Sequence, residues 1–314
     1  MVFRFHEAPL RKKRNRRMVL LLGMRTSTLE IGPKRKKMNE LSYVHTLLIV
    51  CPLVFIAGFI DSIAGGGGLV SLPAWLAAGL PPHLAAGSNK FSMMLGTATS
   101  VARFGATGNI KLKSALAAAA AAIPGAWVGT KIALLLDPAV FRTMLVAVIP
   151  AVAVFVLVRG KKTFGAPASG KAASGADAQI AGATQIALER SPGATLVLSL
   201  AIGLAVGCYD GLVGPGTGTF LIIGFSVFLQ YSLTVSSGSA KVVNLASNIV
   251  SAFLFMSSGN VWYQAAIPAA LCTIAGNQLG SHLAVKNGSR VIRPVLIAVL
   301  ALLFAKILRD WIAF

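Results

Sequence analysis

The sequence contains an internal duplication, and this duplication constrains the fold more than any other feature. The first matches lie at an offset of 149 residues: Asp61 with Asp210, Gly65 with Gly214 and Gly67 with Gly216. The offset then becomes 151 residues and pairs Gly87-Ser88 with Gly238-Ser239, Lys90 with Lys241, Ser100 with Ser251, Phe104 with Phe255, Gly108-Asn109 with Gly259-Asn260, Gly125 with Gly276, Gly129 with Gly280 and Arg142 with Arg293. A correspondence held over about 80 residues, with a single two-residue insertion, indicates a duplicated structural unit.

Composition places both copies in a membrane. Hydrophobic residues make up 55% of the chain, charged residues make up 12%, and the mean hydropathy is +0.75. Apolar segments of about 20 residues are long enough to cross a hydrocarbon layer ~30 Å thick. The sequence therefore predicts an all-α, polytopic integral membrane protein with about eight transmembrane helices in two pseudo-symmetric repeats. We expect it in a cell membrane, either a bacterial inner membrane or a plasma membrane.

Charge and composition divide the chain into four parts. A basic segment covers residues 1–44, the first repeat covers 45–158, a linker rich in Gly, Ala and Ser covers 159–193, and the second repeat covers 194–314. We expect the basic segment to be disordered and the linker to be flexible. The positive-inside rule and attraction to anionic lipid explain the basic segment more simply than nucleic acid does. The predicted partner is the bilayer, with no nucleic acid.

A glycine-rich break interrupts each repeat. Gly65 to Gly68 follow the first apolar segment of one copy, and Gly214, Gly216 and Gly218 follow that of the other. Residues 69–80 would form a helix of only ~18 Å, which favours a re-entrant half-helix or one arm of a V. Half-helices that begin after such breaks direct free N–H groups towards an anion, as in transporter sites. The alternative is that the glycines only allow close helix packing.

Four charged residues accompany the breaks. Asp61 and Asp210 precede them, and a carboxylate within the membrane costs about 2.5 kcal/mol or more, so it normally faces a cavity. The alternative for these aspartates is helix capping. Lys90 and Lys241 follow the breaks at matching positions and suit a pair of cationic ligands, although their stems could also reach the membrane surface. Two positive charges and two helix N-termini specify a small anionic substrate.

These features define a predicted site and a predicted class of protein. The substrate-binding candidates are Lys90, Lys241, Gly66, Gly67, Gly68, Gly216, Thr217, Gly218, Ser88, Asn89, Ser239 and Asn244, and the proton-coupling candidates are Asp61 and Asp210. The sequence has no HExxH, GxSxG or GxxxxGK[ST] motif, which favours a secondary transporter over an enzyme or an ATP-driven pump. A passive anion channel and an intramembrane enzyme are the alternatives. We expect no metal, cofactor or catalytic residue, and self-association into a homo-oligomer is left open.

The same residues resemble the sulfite exporter TauE/SafE family, also called TSUP. The resemblance is carried by GGGGLVSLPAWLAAGLPPHLAAGSNKF, by Ala98 to Phe104, and by the second-repeat counterpart GPGTGTFLIIGFSVFLQYSLTVSSGSAK. It implies a permease of two repeated units that moves sulfite, sulfoacetate or related sulfonates by coupling to the proton gradient. The repeats differ from each other at Pro215, where the first has Gly66, and at Ala240, where the first has Asn89. The two half-sites are therefore not expected to be equivalent.

Overall fold

The computed structural model describes residues 40–147, 191–292, 294 and 295. The part of the chain from His45 onward forms a compact unit, and the contacts below all lie within it. Most of the predicted basic tail and linker falls outside the described residues, as do the ends of the predicted helices 139–158 and 291–308. The first helix begins at Glu40, inside the segment predicted to be tail.

Within the described residues the chain is helical, and the helices follow the same order in both repeats. The first repeat contains α1 (Glu40–Ala64), α2 (Gly68–Ala77), α3 (Pro82–Ala106), α4 (Leu112–Leu135) and α5 (Pro138–Ala147). The second contains α6 (Pro192–Leu212), α7 (Thr217–Phe228), α8 (Leu233–Ser257), α9 (Tyr263–Asn287) and a helical stretch that begins at 289. The short segment predicted after the first break is present as α2, with 10 residues, and its counterpart after the second break is α7, with 12 residues.

Four of the described helices are long and apolar enough to cross a membrane: Tyr43–Ala64, Leu112–Leu135, Pro192–Leu212 and Leu233–Ser257. Helices α3 and α9 each have 25 residues, but polar and charged side chains such as Lys90 and Gln278 lower their apolar character. Large apolar side chains such as Trp127 on α4 and Leu271 on α9 are exposed, as expected of surfaces that face lipid. The all-helical, multi-pass membrane architecture is confirmed, whereas the number eight is not established.

The two repeats are interlocked through small residues. Gly203, Gly207 and Gly211 of α6 lie directly against Ala118, Ala122 and Ala126 of α4, with no room for a Cβ at any of the three glycines. In the same way, Gly276 and Gly280 of α9 lie against the backbone of Phe55 and Phe59 on α1. The fourth helix of each repeat therefore packs on the first helix of the other. The alanine-rich stretch of α4 forms one side of this close contact, as small residues do between membrane helices.

A second pair of contacts also crosses between the repeats. Gly87 lies against the Asn260 carbonyl, and the Ser88 hydroxyl accepts a hydrogen bond from the Trp262 amide at 3.0 Å. Gly238 and Ser239 make the equivalent contacts with Asn109 and with the amide of Lys111, the latter at 3.1 Å. Each Gly-Ser dipeptide thus packs against the Gly-Asn turn of the opposite repeat and accepts a hydrogen bond from the residues that follow it. We call these two contacts the clasps.

Candidate functional site

The two glycine breaks meet at the interface between the repeats. Gly65 has a φ of +74° and lies against the backbone of Gly218, so closely that neither residue could carry a Cβ. Gly68 at the start of α2 lies against Pro215, and Gly216, with a φ of +84°, precedes the first residue of α7. Glycine is needed at Gly65 because the backbone is left-handed there and another chain segment touches it. The N-termini of α2 and α7 therefore flank one shared region.

Two buried ion pairs cross this region. The ammonium group of Lys90 lies 2.8 Å from the Asp210 carboxylate, and that of Lys241 lies 2.6 Å from the Asp61 carboxylate. Each lysine thus pairs with the aspartate of the other repeat. All four side chains are buried, and Lys241 has no exposed surface at all. Neither lysine side chain extends to the protein surface. The alternative that their stems reach the membrane surface therefore does not hold.

The carboxylate of Asp210 has additional partners. The Thr217 hydroxyl lies 2.7 Å from Oδ1 and the Ser247 hydroxyl lies 2.6 Å from Oδ2. Each hydroxyl has an alternative acceptor, the Gly214 carbonyl at 2.6 Å for Thr217 and the Asn244 carbonyl at 3.1 Å for Ser247. Since a hydroxyl donates a single hydrogen, it can bond either the carboxylate or the carbonyl, and the charged acceptor gives the stronger bond.

The carboxylate of Asp61 lacks this support. Among the described residues, Lys241 is the side chain that donates to it, and no hydroxyl does so. At the repeat offsets, the position of Thr217 corresponds to Gly68 and that of Ser247 corresponds to Gly96. Glycine has no hydroxyl to offer. The two aspartates therefore have different environments even though they occupy equivalent places.

Three asparagines extend the site. Lys90 donates to Asn248 Oδ1 at 3.0 Å, and Asn248 donates to Asn244 Oδ1 at 3.2 Å. Asn89 is also buried, and its side-chain oxygen is one of the buried polar atoms of the described residues that lack a hydrogen-bond partner. An unpaired buried acceptor costs free energy, so it marks a place where water or a ligand can bind.

A small cavity lies between these groups, with a volume of about 30 Å³. Its lining comes from both repeats: Asp61, Gly65, Gly68, Leu72, Ala86, Asn89, Lys90, Met93, Asp210, Val213, Gly214, Thr217, Gly218, Asn244 and Asn248. A water molecule needs about 10–15 Å³ of such space, so the cavity can hold water but no larger anion. The site as described therefore has no room for such an anion, and we call this arrangement the closed state.

The structure brings together most of the predicted site residues. Those that line the cavity are Lys90, Asn89, Gly68, Thr217, Gly218, Asn244, Asp61 and Asp210. Lys241 lies behind Asp61, while Gly66, Gly67 and Gly216 belong to the breaks without contributing to the lining. Ser88 and Ser239 form the clasps and are not part of the lining. The described residues contain no group of three or more His, Cys, Asp or Glu side chains that could hold a metal ion.

Sequence reasoning missed Ser247, which donates to Asp210. The available signal was its position, because Ser247 follows Asn244 by three residues and therefore lies on the same helical face. Sequence reasoning also did not show that each lysine would pair with the aspartate of the other repeat. A duplication reveals equivalent positions, but it does not show which copy each side chain contacts.

Comparison with known proteins agrees with this architecture. The family model described as "Sulfite exporter TauE/SafE" matches residues 50–307. The chain belongs to this family. A relative from Sinorhizobium sp, described as "Probable membrane transporter protein ORF9", is 30% identical over 273 residues, which cover 87% of this chain and 96% of the relative.

Two further TauE/SafE relatives carry similar descriptions. A "Probable membrane transporter protein" from Haemophilus influenzae is 29% identical over 85% of this chain and 96% of its own length. "Probable membrane transporter protein YfcA" from Escherichia coli K12 is 28% identical over 87% of this chain and 94% of its own length. No solved structure matches the chain. The family and its relatives support a membrane transporter role for this protein.

Proposed function

We propose that this TauE/SafE protein is a proton-coupled secondary transporter that exports small sulfur-containing or organic anions, such as sulfite or sulfonates, across a cell membrane. The family description supports the substrate class. The observation that carries the proposal is the pair of buried Lys–Asp contacts that cross between the repeats where the two glycine breaks meet.

Burying these ion pairs in a membrane costs free energy, and a contribution to folding stability does not explain why the protein keeps them. Each charged side chain within a membrane costs about 2.5–3.5 kcal/mol on insertion scales. Replacing a buried ion pair with well-packed apolar residues is often neutral or stabilising. A protein that keeps two such pairs around one cavity therefore has groups suited to binding a charged substrate.

The geometry supports a simple binding scheme. The ammonium groups of Lys90 and Lys241 and the N-termini of α2 and α7 would attract an anion to the junction of the breaks. An ionised Asp61 or Asp210 beside that anion would repel it, so protonation of one aspartate would favour binding. The proton and the anion would then be bound to the protein at the same time, so the two would cross the membrane together.

Flux measurements in liposomes test the proposal. The purified protein is reconstituted, and uptake of sulfite, sulfoacetate and small carboxylates is measured with and without an imposed pH gradient. Empty liposomes and liposomes with the Lys90→Met variant serve as controls. We expect anion accumulation that depends on the gradient and is lost in the variant. Flux that does not depend on the pH gradient would identify a passive channel. A lack of flux for every anion would contradict the proposal that the protein is a transporter.

A further inference from the structure

The two ion pairs differ in their access to the cavity. Lys90 and Asp210 both line it, and Lys90 retains 7% of its surface exposed. Lys241 is completely buried and does not contribute to the lining, although its partner Asp61 does. An anion that enters the cavity therefore meets the ammonium group of Lys90, whereas Lys241 contacts Asp61 and does not reach the lining.

The cavity is too small for an anion unless a side chain moves out of it. Its volume of about 30 Å³ suffices for about two water molecules. The carboxylate of Asp210 lies 2.8 Å from Lys90 Nζ, at the distance where an oxygen of a bound anion would lie. The Lys90 ammonium already donates to Asp210 and to Asn248, so an anion would bind it most directly by taking over the place that the Asp210 carboxylate holds.

We propose that Lys90–Asp210 is the exchangeable pair, in which a substrate oxyanion replaces Asp210 on Lys90 while Asp210 takes up one proton. This inference rests on the proposed function and narrows it, because it assigns the proton to Asp210 and direct anion binding to Lys90. The Lys241–Asp61 pair stays intact throughout and positions the breaks from behind the cavity.

The hydroxyl groups around Asp210 are arranged for such an exchange. In the closed state, Thr217 and Ser247 donate to the carboxylate. When Asp210 is protonated, both hydroxyls can turn to the carbonyls of Gly214 and Asn244, which already lie within hydrogen-bond distance. Proton uptake therefore leaves neither hydroxyl without an acceptor, and the oxygen of either hydroxyl can in turn accept a hydrogen bond from the protonated carboxyl group. Asp61 has no comparable hydroxyls among the described residues.

Charge balance fixes the stoichiometry. The closed state contains one Lys90 cation and one Asp210 anion, and the loaded state contains Lys90, a monoanion and a neutral Asp210. The net charge of the site is unchanged, so one proton accompanies each negative charge. The other ionisable groups around Asp210 are Asp61 across the cavity, Lys241 behind Asp61, and Tyr209, whose hydroxyl donates to the Pro215 carbonyl. None of them needs to change its charge.

Proton uptake on anion binding tests the inference directly. Methanesulfonate is a suitable probe because its own charge does not change over the working pH range. It is added to the purified, detergent-solubilised full chain in weakly buffered solution at a pH where Asp210 is ionised, and a pH indicator reports the protons taken up. We expect about one proton per bound anion for the parent protein.

The variants identify the group that takes the proton. We expect Asp210→Asn to bind methanesulfonate with no proton uptake and with an affinity that does not depend on pH. The double variant Asp61→Asn with Lys241→Met removes the other pair without leaving an unpaired charge. We expect a lower affinity for methanesulfonate in this variant but the same ratio of about one proton taken up per bound anion. Proton uptake that persists in Asp210→Asn, or that disappears in the double variant, would overturn the inference.

Voltage provides a second readout that needs no variant. In liposomes with a fixed potassium gradient and valinomycin, we expect methanesulfonate flux coupled to protons to be insensitive to membrane potential. Flux that is coupled to protons but strongly driven by voltage would contradict the one-to-one exchange while leaving the proposed function in place. If the parent binds and transports no anion at all, the proposed function itself fails.

Discussion

Asp210 and Asp61 occupy equivalent positions in the two repeats, yet their surroundings differ. Asp210 pairs with Lys90 and lies within hydrogen-bond distance of two hydroxyls, while Asp61 depends on Lys241. The difference arises where the second repeat has Thr217 and Ser247 and the first has glycines. Both residues of the Lys90–Asp210 pair line the cavity and alternative hydrogen bonds are available there, whereas the other pair reaches the cavity only through Asp61. The duplication has thus produced two ion pairs with the same charges, of which Lys90–Asp210 is the one expected to separate more easily.

Unpaired polar atoms show the same asymmetry. Among the described residues, the buried side-chain atoms without a hydrogen-bond partner all belong to the first repeat: Ser71 Oγ, Trp75 Nε1, Asn89 Oδ1 and Thr97 Oγ1. Each such atom costs about 1–3 kcal/mol. Where the second repeat offers Thr217 and Ser247 to its aspartate, the first repeat leaves polar groups unsatisfied on α2 and α3. Of these four residues Asn89 alone lines the cavity, so its side-chain oxygen is the one placed to bind water or substrate there.

Removing a lysine should affect stability most at the Lys241–Asp61 pair. We expect Lys241→Met to destabilise the protein by about 3–5 kcal/mol because it leaves the buried Asp61 carboxylate without a donor. Lys90→Met should destabilise less, since Thr217 and Ser247 still donate to Asp210. Thermal unfolding in detergent measures both.

The double variant Lys241→Met with Asp61→Asn supplies the control for this comparison. It should recover most of the lost stability, because no unpaired charge remains. Equal melting temperatures for the two single lysine variants would show that the pairs are equivalent, against the structure.

The contact between the breaks can be tested with a matched pair of glycines. Gly65 and Gly79 both have positive φ, at +74° and +85°, but Gly65 lies against Gly218 while Gly79 faces open space. Substitution by Ala should cost about 1–2 kcal/mol of backbone strain at either position. At Gly65, overpacking should add about 1–3 kcal/mol. Comparable melting temperatures for Gly65→Ala and Gly79→Ala would mean that the breaks do not touch as described.

Much of the fold could be predicted from the sequence because its strongest signals are local or periodic. Apolar length predicts the helices, glycine clusters predict the breaks between α1 and α2 and between α6 and α7, and the repeat offset predicts the matching order. Helix α1 begins at Glu40 because the helical backbone extends beyond the apolar residues that mark the span. Element boundaries carry less signal than element existence.

The site could be predicted only in part, because its contacts depend on how the repeats interlock. Lys90 and Lys241 were identified by their equivalence, but equivalence could not show that only Lys90 lines the cavity. Ser88 and Ser239 were expected beside the lysines, since they are close in sequence. On a helix, residues two apart point to different sides, so Ser88 contacts Trp262 while Lys90 contacts Asp210.

The hydroxyl groups of the second repeat give a third comparison. Thr217→Val keeps the side-chain shape and removes the donor to Asp210, at an expected cost of about 1.5–3 kcal/mol. Fewer donors to the ionised carboxylate make its charge less favourable, so anion binding should persist to higher pH than in the parent. Methanesulfonate affinity measured across the acidic-to-neutral range detects this shift.

Thr219→Val is the matched control, because the Thr219 hydroxyl donates to the Ala64 carbonyl and not to an aspartate. It should lose stability without any change in the pH profile of anion binding. If both threonine variants move the profile equally, the shift reports a general disturbance of the breaks, and the hydroxyl of Thr217 has no specific role at Asp210.

The clasps should show the smallest effect and, unlike the ion pairs, no difference between repeats. Ser88 and Ser239 each accept one hydrogen bond from a backbone amide of the opposite repeat, at 3.0 Å and 3.1 Å. We expect Ser88→Ala and Ser239→Ala each to cost about 1 kcal/mol, with the same KM for anion transport as the parent. Unfolding and flux measured on the same preparations separate the two quantities. A raised KM in either variant with unchanged stability would instead show that the serine contributes to the substrate site, as its position in the sequence predicts. Equal losses of stability with unchanged transport would show that the repeats have diverged around their aspartates while the contacts that join them have stayed alike.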